Sequence, residues 1–320
     1  MIVTIGGISA RLTLIDADKG RPTDSVGPVL NDRISPFTGR SNRVSLNLTV
    51  TRFVRSSWYE ILTPKDFTRT QHIIRRIRER FPFTPILFGK TNSHKPPTKA
   101  GDISLPLLAA FDSRHVSVIA HPGFLVTVDH RVGNADALVR IDDDRDWETS
   151  LIPVFQGVLA LCAPDHGALM LHAASLVLAG KGYLFIGNSG AGKSTIAASV
   201  DPSLVLSDDG SWCSQNDGDF SLFPTPFSQI DPIPNPGGPV PIERVLFLEK
   251  GTQNRIVDLS PGRAMTMLLS NHIHFFRFMA HEPAARAFGL VEGLCRRHPA
   301  STLVFTPDFN PKPFFQENSR

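Results

Sequence analysis

The residues from Gly187 to Thr195, which we call the glycine loop, constrain the fold of this chain more than any other part of its sequence. They read Gly-Asn-Ser-Gly-Ala-Gly-Lys-Ser-Thr and match the phosphate-binding P-loop pattern G-x-x-x-x-G-K followed by Ser or Thr. The pattern requires a strand that ends in a tight turn, and a helix that begins there with its positive end facing the phosphate. A chain that carries this loop is therefore expected to build an α/β fold around it.

Both flanks of the glycine loop fit this requirement. Tyr183–Ile186 is a short apolar and aromatic run, which predicts a buried strand, and Thr195–Val200 favours a helix. Within the loop, Lys193 supplies a positive charge for the outer phosphates, and the hydroxyl of Ser194 suits magnesium. The predicted nucleotide-binding residues are Gly187, Asn188, Ser189, Gly190, Ala191, Gly192, Lys193, Ser194 and Thr195.

The composition is typical of a globular protein. With 320 residues, of which 41% are hydrophobic, the chain is long enough for two domains or one large one. Its three cysteines, Cys162, Cys213 and Cys295, form no CxxC pair, which favours a reducing compartment. The sequence shows neither a signal peptide nor a run of about eighteen apolar residues. We therefore expect a cytoplasmic protein without a membrane partner.

Charge is distributed unevenly along the chain, although the formal net charge is only +3. Basic residues outnumber acidic ones in residues 1–90, whereas residues 151–320 carry slightly more acidic ones. The basic part is either a docking surface for an acidic protein, a leader peptide or nucleic acid, or a solvated surface. Because no helix-turn-helix signature is present and the surplus is spread out, we do not expect a nucleic-acid partner.

The chain divides by pattern into an N-terminal accessory or substrate-recognition domain, residues 1–150, and a domain that carries the glycine loop, residues 151–320. In the first part, residues 43–54 alternate polar and apolar side chains and predict a half-buried strand. Residues 63–81 predict an amphipathic helix, and residues 115–128 predict two strands joined by a turn. We expect an α+β fold for this part.

The second part is predicted to place two acidic residues near the glycine loop. Residues 168–178 and 182–186 are apolar runs around a turn, which predicts a hairpin that leads into the loop. The next short apolar run ends at Asp208 and Asp209. Residues 224–241 are rich in proline, so they predict a substrate-binding loop or a lid.

The order of these features resembles the catalytic domain of HPr kinase/phosphorylase, which belongs to the phosphoenolpyruvate carboxykinase-like P-loop proteins. The features are His172 at the start of the hairpin, the glycine loop after its second strand, and Asp208-Asp209 after the next strand. The resemblance covers roughly residues 165–305. It implies a mixed sheet with flanking helices, and it does not extend to the first 150 residues.

The resemblance also implies a reaction, the Mg²⁺-dependent transfer of a phosphoryl group from ATP to a hydroxyl of a protein or peptide. Asp209 is the implied base that accepts the proton of that hydroxyl, and Lys193 holds the phosphates. Ser194 and Asp208 are the implied magnesium ligands, and His172 is implied to lie beside the transferred phosphate. Relatives in this group form hexamers, so a homo-oligomer is compatible with the resemblance.

Departures from the family pattern point away from HPr itself as the phosphate acceptor. Thr195 stands where the family often has glutamate, Ala173 stands where it has glycine, and its second signature run is missing. A divergent kinase of a peptide or of a partner encoded nearby, as in the lasso-peptide kinases, fits better. Two alternatives stay open: a nucleotide-binding regulatory module without phosphotransfer, and a carboxykinase-like enzyme acting on a small metabolite. The latter needs converging arginines, for which Arg255, Arg263 and Arg277 are available.

Overall fold

A computed structural model describes residues 2–5, 8–16, 21–23, 37, 46–54, 114–121, 124–141, 146–227 and 239–317 of the chain. Within these ranges the chain forms two mixed β-sheets and a small number of helices. The α/β class predicted from the sequence is therefore confirmed. The predicted helix over residues 63–81 and the centre of the proline-rich segment, residues 228–238, lie outside the described residues.

The first sheet comes from the described N-terminal residues. Its strands are β1 (Ile2–Ile5), β2 (Ile8–Asp16), β3 (Arg21–Thr23), β4 (Leu46–Val54), β5 (Val116–His121), β6 (Phe124–Asp129) and β7 (Asn134–Ile141). Their order is β1-β2-β4-β7-β6-β5, with β3 paired to β2. Strand β4 lies parallel to β2 and β7. Buried Leu46, Leu48 and Val50 alternate along β4 with less buried residues, which confirms the predicted half-buried strand. The predicted pair of strands at residues 115–128 is also confirmed, as β5 and β6.

The second sheet and the helices come from residues 146–317. The strands are β8 (Ala168–Leu178), β9 (Lys181–Ile186), β10 (Val205–Ser207), β11 (Gly210–Asn216), β12 (Asp219–Phe223), β13 (Val240–Lys250), β14 (Arg255–Asp258) and β15 (Ala300–Phe305). The helices are α1 (Asp146–Cys162), α2 (Lys193–Ala198), α3 (Pro261–Asn271), α4 (His281–Arg297) and α5 (Pro311–Glu317). The strand order is β10-β8-β11-β12-β13-β15-β14, and β9 pairs with both β8 and β13. The antiparallel pairing of β8 with β9 confirms the predicted hairpin.

Helix α1 connects the two sheets and contacts both, through β6 and β7 on one side and β8 on the other. Its buried residues Leu151, Val154, Val158 and Leu161 recur at intervals of three and four, as expected for one face of a helix. The apolar core continues across this helix from β4 to β9. The division into residues 1–150 and 151–320 stays a prediction, and its boundary falls within α1. No helix of the described residues is long and apolar enough to cross a membrane.

Three parallel strands place their carboxyl ends at one edge of the second sheet. Strand β13 lies parallel to β9 and to β15, so Ile186, Lys250 and Phe305 end their strands on the same side. Strand β8 runs antiparallel to β9 with Ala173 opposite Ile186, which brings the neighbouring His172 to this edge. Open sheets with parallel strands commonly bind ligands at the carboxyl ends of those strands. The glycine loop lies at this edge.

Candidate functional site

The glycine loop joins β9 to α2 in a conformation that requires glycine at several positions. The φ angles of Gly190 and Gly192 are 78° and 110°, in a region that residues with a side chain rarely adopt. A Cβ atom added to Gly187 would lie 2.6 Å from the Cβ of Ala191. One added to Gly192 would lie 2.7 Å from the ring of Phe305. The first and last glycines of the motif are thus required by the packing of this protein itself.

Helix α2 is only six residues long, from Lys193 to Ala198, and does not reach residue 200 as the sequence predicted. It ends early because Ser199 turns back on it, with both its amide and its hydroxyl donating to the Ile196 carbonyl. So short a helix aligns few peptide dipoles. The charge that this loop offers to an anion therefore comes chiefly from Lys193 and not from the helix.

The ammonium group of Lys193 connects the loop to the strand beside it. Its Nζ atom lies 2.7 Å from the Gly187 carbonyl oxygen and 3.0 Å from His172 Nε2. An ammonium group can only donate, so His172 Nε2 must accept, and the ring proton is assigned to Nδ1. That Nδ1 atom lies 3.1 Å from Asp209 Oδ1. The three side chains therefore form one chain of hydrogen bonds, in which Lys193 donates to His172 and His172 donates to Asp209.

Burial and charge shift the pKa values at both ends of this chain. Burial lowers the pKa of Lys193, and the charge of Asp209 opposes that shift. For Asp209, burial raises the pKa, but the hydrogen bond donated by His172 and the charge of Lys193 outweigh it. The pKa of Asp209 therefore lies below its usual 3.8, and the group is an ionised carboxylate at neutral pH.

The two adjacent aspartates that follow β10 face different surroundings. Asp209 is partly exposed and lines the cavity beside the glycine loop. Asp208 is 2% exposed and is not among the residues that line this cavity. Ser194, the other predicted magnesium ligand, does line it. The structure thus brings His172, Lys193, Ser194 and Asp209 to one cavity and buries Asp208 away from its surface.

The cavity has a volume of about 680 Å³, which lies within the range of small-molecule sites. Its lining residues are His172, Ser189, Gly190, Gly192, Lys193, Ser194, Thr195, Asp209, Lys250, Gly251, Phe305 and Pro307. The predicted nucleotide-binding residues that do not line it are Gly187, Asn188 and Ala191. In the described part of the chain no arginine lines the cavity, so Arg255, Arg263 and Arg277 do not converge there.

Two histidines that the sequence analysis did not single out also belong to the site. After α3 the chain runs beside β8, where His172 N donates to the His272 carbonyl and His274 N donates to the Met170 carbonyl, both at 2.9 Å. Alternate residues of an extended segment point to the same side. The His-x-His spacing is therefore the sequence signal that could have revealed this pair.

Both of these histidines lie in a desolvated environment. His272 is 7% exposed, and its Nδ1 atom has no hydrogen-bond partner among the described residues. Burial, with the charge of Lys193, lowers the pKa of His272 to about 4. Burial also lowers the pKa of His274, whose Nε2 atom lies 3.3 Å from the backbone oxygen of Asp209. Both rings are therefore neutral at pH 7.

Two sets of side chains at the site offer ligands to a cation. Ser194 and Asp209 line the same cavity and present the oxygen ligands that Mg²⁺ prefers. His172, Asp209 and His274 also have ligand atoms within 4.8 Å of one another, a mixed set that suits transition-metal ions better. The oxygen pair fits the implied magnesium, because Mg²⁺ usually takes one or two protein ligands and completes its shell with phosphate oxygens and water.

Another polar cluster links a serine, a histidine and an aspartate by hydrogen bonds in the order of a hydrolase triad. It lies where the two sheets meet. Ser117 Oγ is 2.6 Å from His130 Nε2, and His130 Nδ1 bonds to Asp165. Ser117 is completely buried, and its Oγ accepts a hydrogen bond from Ala280 N. Arg286 of α4 pairs with Asp165. Because a substrate cannot reach this serine, the cluster ties β5 to α4 instead of providing a nucleophile.

A family model matches the central part of the chain. It is described as SynChlorMet cassette protein ScmC, and the match covers residues 137–283, slightly less than half of the chain. The matched part runs from β7 to the beginning of α4, so it includes the glycine loop, Asp209 and the two histidines after α3. No curated protein matches the chain. The chain is therefore similar to this family over the region that forms most of the cavity, although Phe305 and Pro307 lie beyond the match.

Proposed function

We propose that this chain is a phosphotransferase related to HPr kinase, with a phosphoenolpyruvate carboxykinase-like P-loop fold. It transfers a phosphoryl group from ATP, with Mg²⁺, to a hydroxyl of a protein or peptide. The observation that carries the proposal is the convergence of Lys193, His172 and Asp209 on a cavity beside the glycine loop. Phosphoryl transfer needs cations and amides on the phosphates and a carboxylate that holds the attacking hydroxyl. The convergence supplies both kinds of group.

Binding of the phosphates exchanges the partners of Lys193. In the structure its Nζ atom is held by the carbonyl oxygens of Gly187 and Asn188, at 2.7 and 3.3 Å. A phosphate oxygen is a stronger acceptor than these neutral carbonyls, because the hydrogen bond is then charged at both ends. The bound anion also opposes the burial that lowers the pKa of Lys193, so it keeps the ammonium charged.

A bound Mg²⁺ ion would supply positive charge that neutralises the phosphates. Ser194 is placed to hold it, and Asp209 is the one carboxylate among the described residues that line the cavity.

Asp209 accepts the proton of the attacking hydroxyl in this proposal. Its low pKa makes it a weak base in the free protein. Bound phosphates add negative charge beside the carboxylate and raise its pKa, whereas a Mg²⁺ ion held by Ser194 and Asp209 would lower it. His172 keeps the carboxylate oriented, since its Nδ1 atom donates to Oδ1. The loose transition state of phosphoryl transfer asks more for such positioning than for a strong base.

Replacement of Asp209 by asparagine tests the proposal, because it keeps the size of the side chain and removes the base. The protein is incubated with Mg²⁺, ATP labelled at the γ-phosphate and candidate acceptor peptides. Because the similar family is described as a cassette protein, peptides encoded in the same cassette are the first to test. We expect Asp209→Asn to lower the transfer rate by roughly 100-fold or more while ATP still binds. Asp217→Asn is the matched control, in the turn between β11 and β12.

Transfer by Asp209→Asn at the wild-type rate would contradict this role. The low pKa of Asp209 also favours a second candidate function, a regulatory module that binds a nucleotide without transfer. ATP binding without ADP formation in the presence of the acceptor would support that candidate.

The proposal places the protein in the cytoplasm, where ATP is available and where its three free, buried cysteines stay reduced.

A further inference from the structure

The cavity has two walls, one on each side of the glycine loop. Strand β8 lies on one side of β9, and β13 followed by β15 lies on the other. His172 and Asp209 therefore form the first wall, and Lys250 and Phe305 belong to the second. Neighbouring strands lie about 4.8 Å apart, so three spacings separate β8 from β15 by roughly 14 Å. An elongated ligand can lie across the loop from one wall to the other.

The direction in which the phosphoryl donor, ATP, lies in this cavity follows from the proposed function, on which this inference rests. The transferred phosphate must lie beside the carboxylate of Asp209, at the first wall. The remaining phosphates and the nucleoside then extend over the glycine loop toward β13 and β15. Groups at the second wall thus meet the part of the donor that is not transferred.

Lys250 is the cation of the second wall. It is the last residue of β13, it is exposed, and it lines the cavity. Within the described ranges, no hydrogen bond or ion pair engages its ammonium group. By contrast, Lys181 at the opposite end of β9 pairs with Glu243 at 2.9 Å. Lys250 therefore has a charge available for a ligand, whereas Lys181 is already neutralised by a carboxylate.

The backbone that carries Lys250 is held in place. Gly251 N donates to the Phe305 carbonyl at 2.9 Å. Asn254 Oδ1 accepts from Thr306 N at 2.8 Å, so the turn after β13 is tied to the end of β15. A fixed backbone places the base of the lysine side chain reproducibly beside the cavity, and its flexible stem lets the ammonium reach a phosphate.

We propose that Lys250 is a second phosphate-binding residue, which contacts the phosphates that stay with the nucleoside. A lysine ammonium serves phosphate as a point charge and does not need a fixed geometry. The contact holds these phosphates in the bound donor, so its loss raises KM. Because negative charge builds up on the leaving diphosphate in a loose transition state, its loss lowers kcat as well.

The test compares Lys250→Met, which keeps a side chain of similar length without charge, with Lys250→Arg. Calorimetric titrations use ATP with Mg²⁺ and, separately, inorganic tripolyphosphate. We expect Lys250→Met to raise the Kd of both probes roughly tenfold, which corresponds to about 1.4 kcal/mol, and Lys250→Arg to retain most of the affinity. KM for ATP should rise by a similar factor. Lys181→Met, at the other end of the strands, is the matched control and should bind both probes as wild type does.

The outcomes separate this inference from the proposed function. If the wild type binds ATP and Lys250→Met binds both probes as tightly, the role of Lys250 is wrong and the proposed function stands. If only ATP binding weakens, Lys250 contacts the nucleoside, and its assignment to phosphate is wrong. If the wild type binds neither probe, the proposed function fails and the inference fails with it.

Discussion

Replacement of Gly192 by alanine tests how the glycine loop packs against β15. Gly192 has a φ of 110°, and an added Cβ atom would lie 2.7 Å from Cζ of Phe305, a ring that is 5% exposed. Alanine in such a backbone conformation costs about 1–2 kcal/mol, and overpacking against a buried ring costs a further ~1–3 kcal/mol. We therefore expect Gly192→Ala to lower the free energy of unfolding by about 2–5 kcal/mol.

A double-mutant cycle separates these two costs. In a Phe305→Leu background the ring is absent, so Gly192→Ala should cost only the backbone strain of about 1–2 kcal/mol. Urea unfolding of the four proteins should then give a coupling energy of about 1–3 kcal/mol. Gly190→Ala is the matched control, because Gly190 also has a positive φ but a Cβ there would meet nothing within 4 Å. Equal costs of Gly192→Ala in both backgrounds would refute the reasoning.

Two further predictions concern buried groups outside the loop. Unfolded His272 binds a proton at pH values below 6.5, whereas folded His272 does so only below about 4. The free energy of unfolding should therefore fall as the pH drops from 6.5 to about 4. In His272→Gln this fall should be smaller by up to roughly 3 kcal/mol. Urea unfolding of both proteins at pH 7 and at about pH 4.5 measures this difference. The same pH dependence in wild type and variant would contradict the prediction. Ser117→Ala removes the partner of Ala280 N and of His130, so it should lower the free energy of unfolding by about 1–3 kcal/mol without weakening ATP binding. Ser199 is exposed, so Ser199→Ala is the control, and a cost no larger than that of the control would count against the buried cluster.

The features predicted correctly from the sequence depend on short-range patterns. The hairpin of β8 and β9 is encoded by two apolar runs around a turn, and the glycine loop by a fixed spacing of glycines and lysine. His172, Lys193 and Asp209 meet because each lies at the end or edge of a strand next to that hairpin. Their convergence was implied by the order of the motifs, and the distances in the structure agree with it.

The features that the sequence did not reveal depend on distant pairing. His272 and His274 reach the site because the segment after α3 pairs with β8, far from it in sequence. Lys250 reaches the site because β13 lies parallel to β9. Which of Asp208 and Asp209 faces the cavity depends on the register of the short strand β10, which is irregular. Residue patterns along the chain do not specify any of these pairings.

The most direct test of the central claim is a titration of the protein with Mg²⁺ and a non-hydrolysable ATP analogue. The claim is that Lys193 and the glycine loop bind the phosphates of a nucleotide. It predicts saturable binding of one nucleotide per chain by the wild type, and binding at least about tenfold weaker by Lys193→Met. No binding by the wild type, or equally tight binding by Lys193→Met, would contradict it.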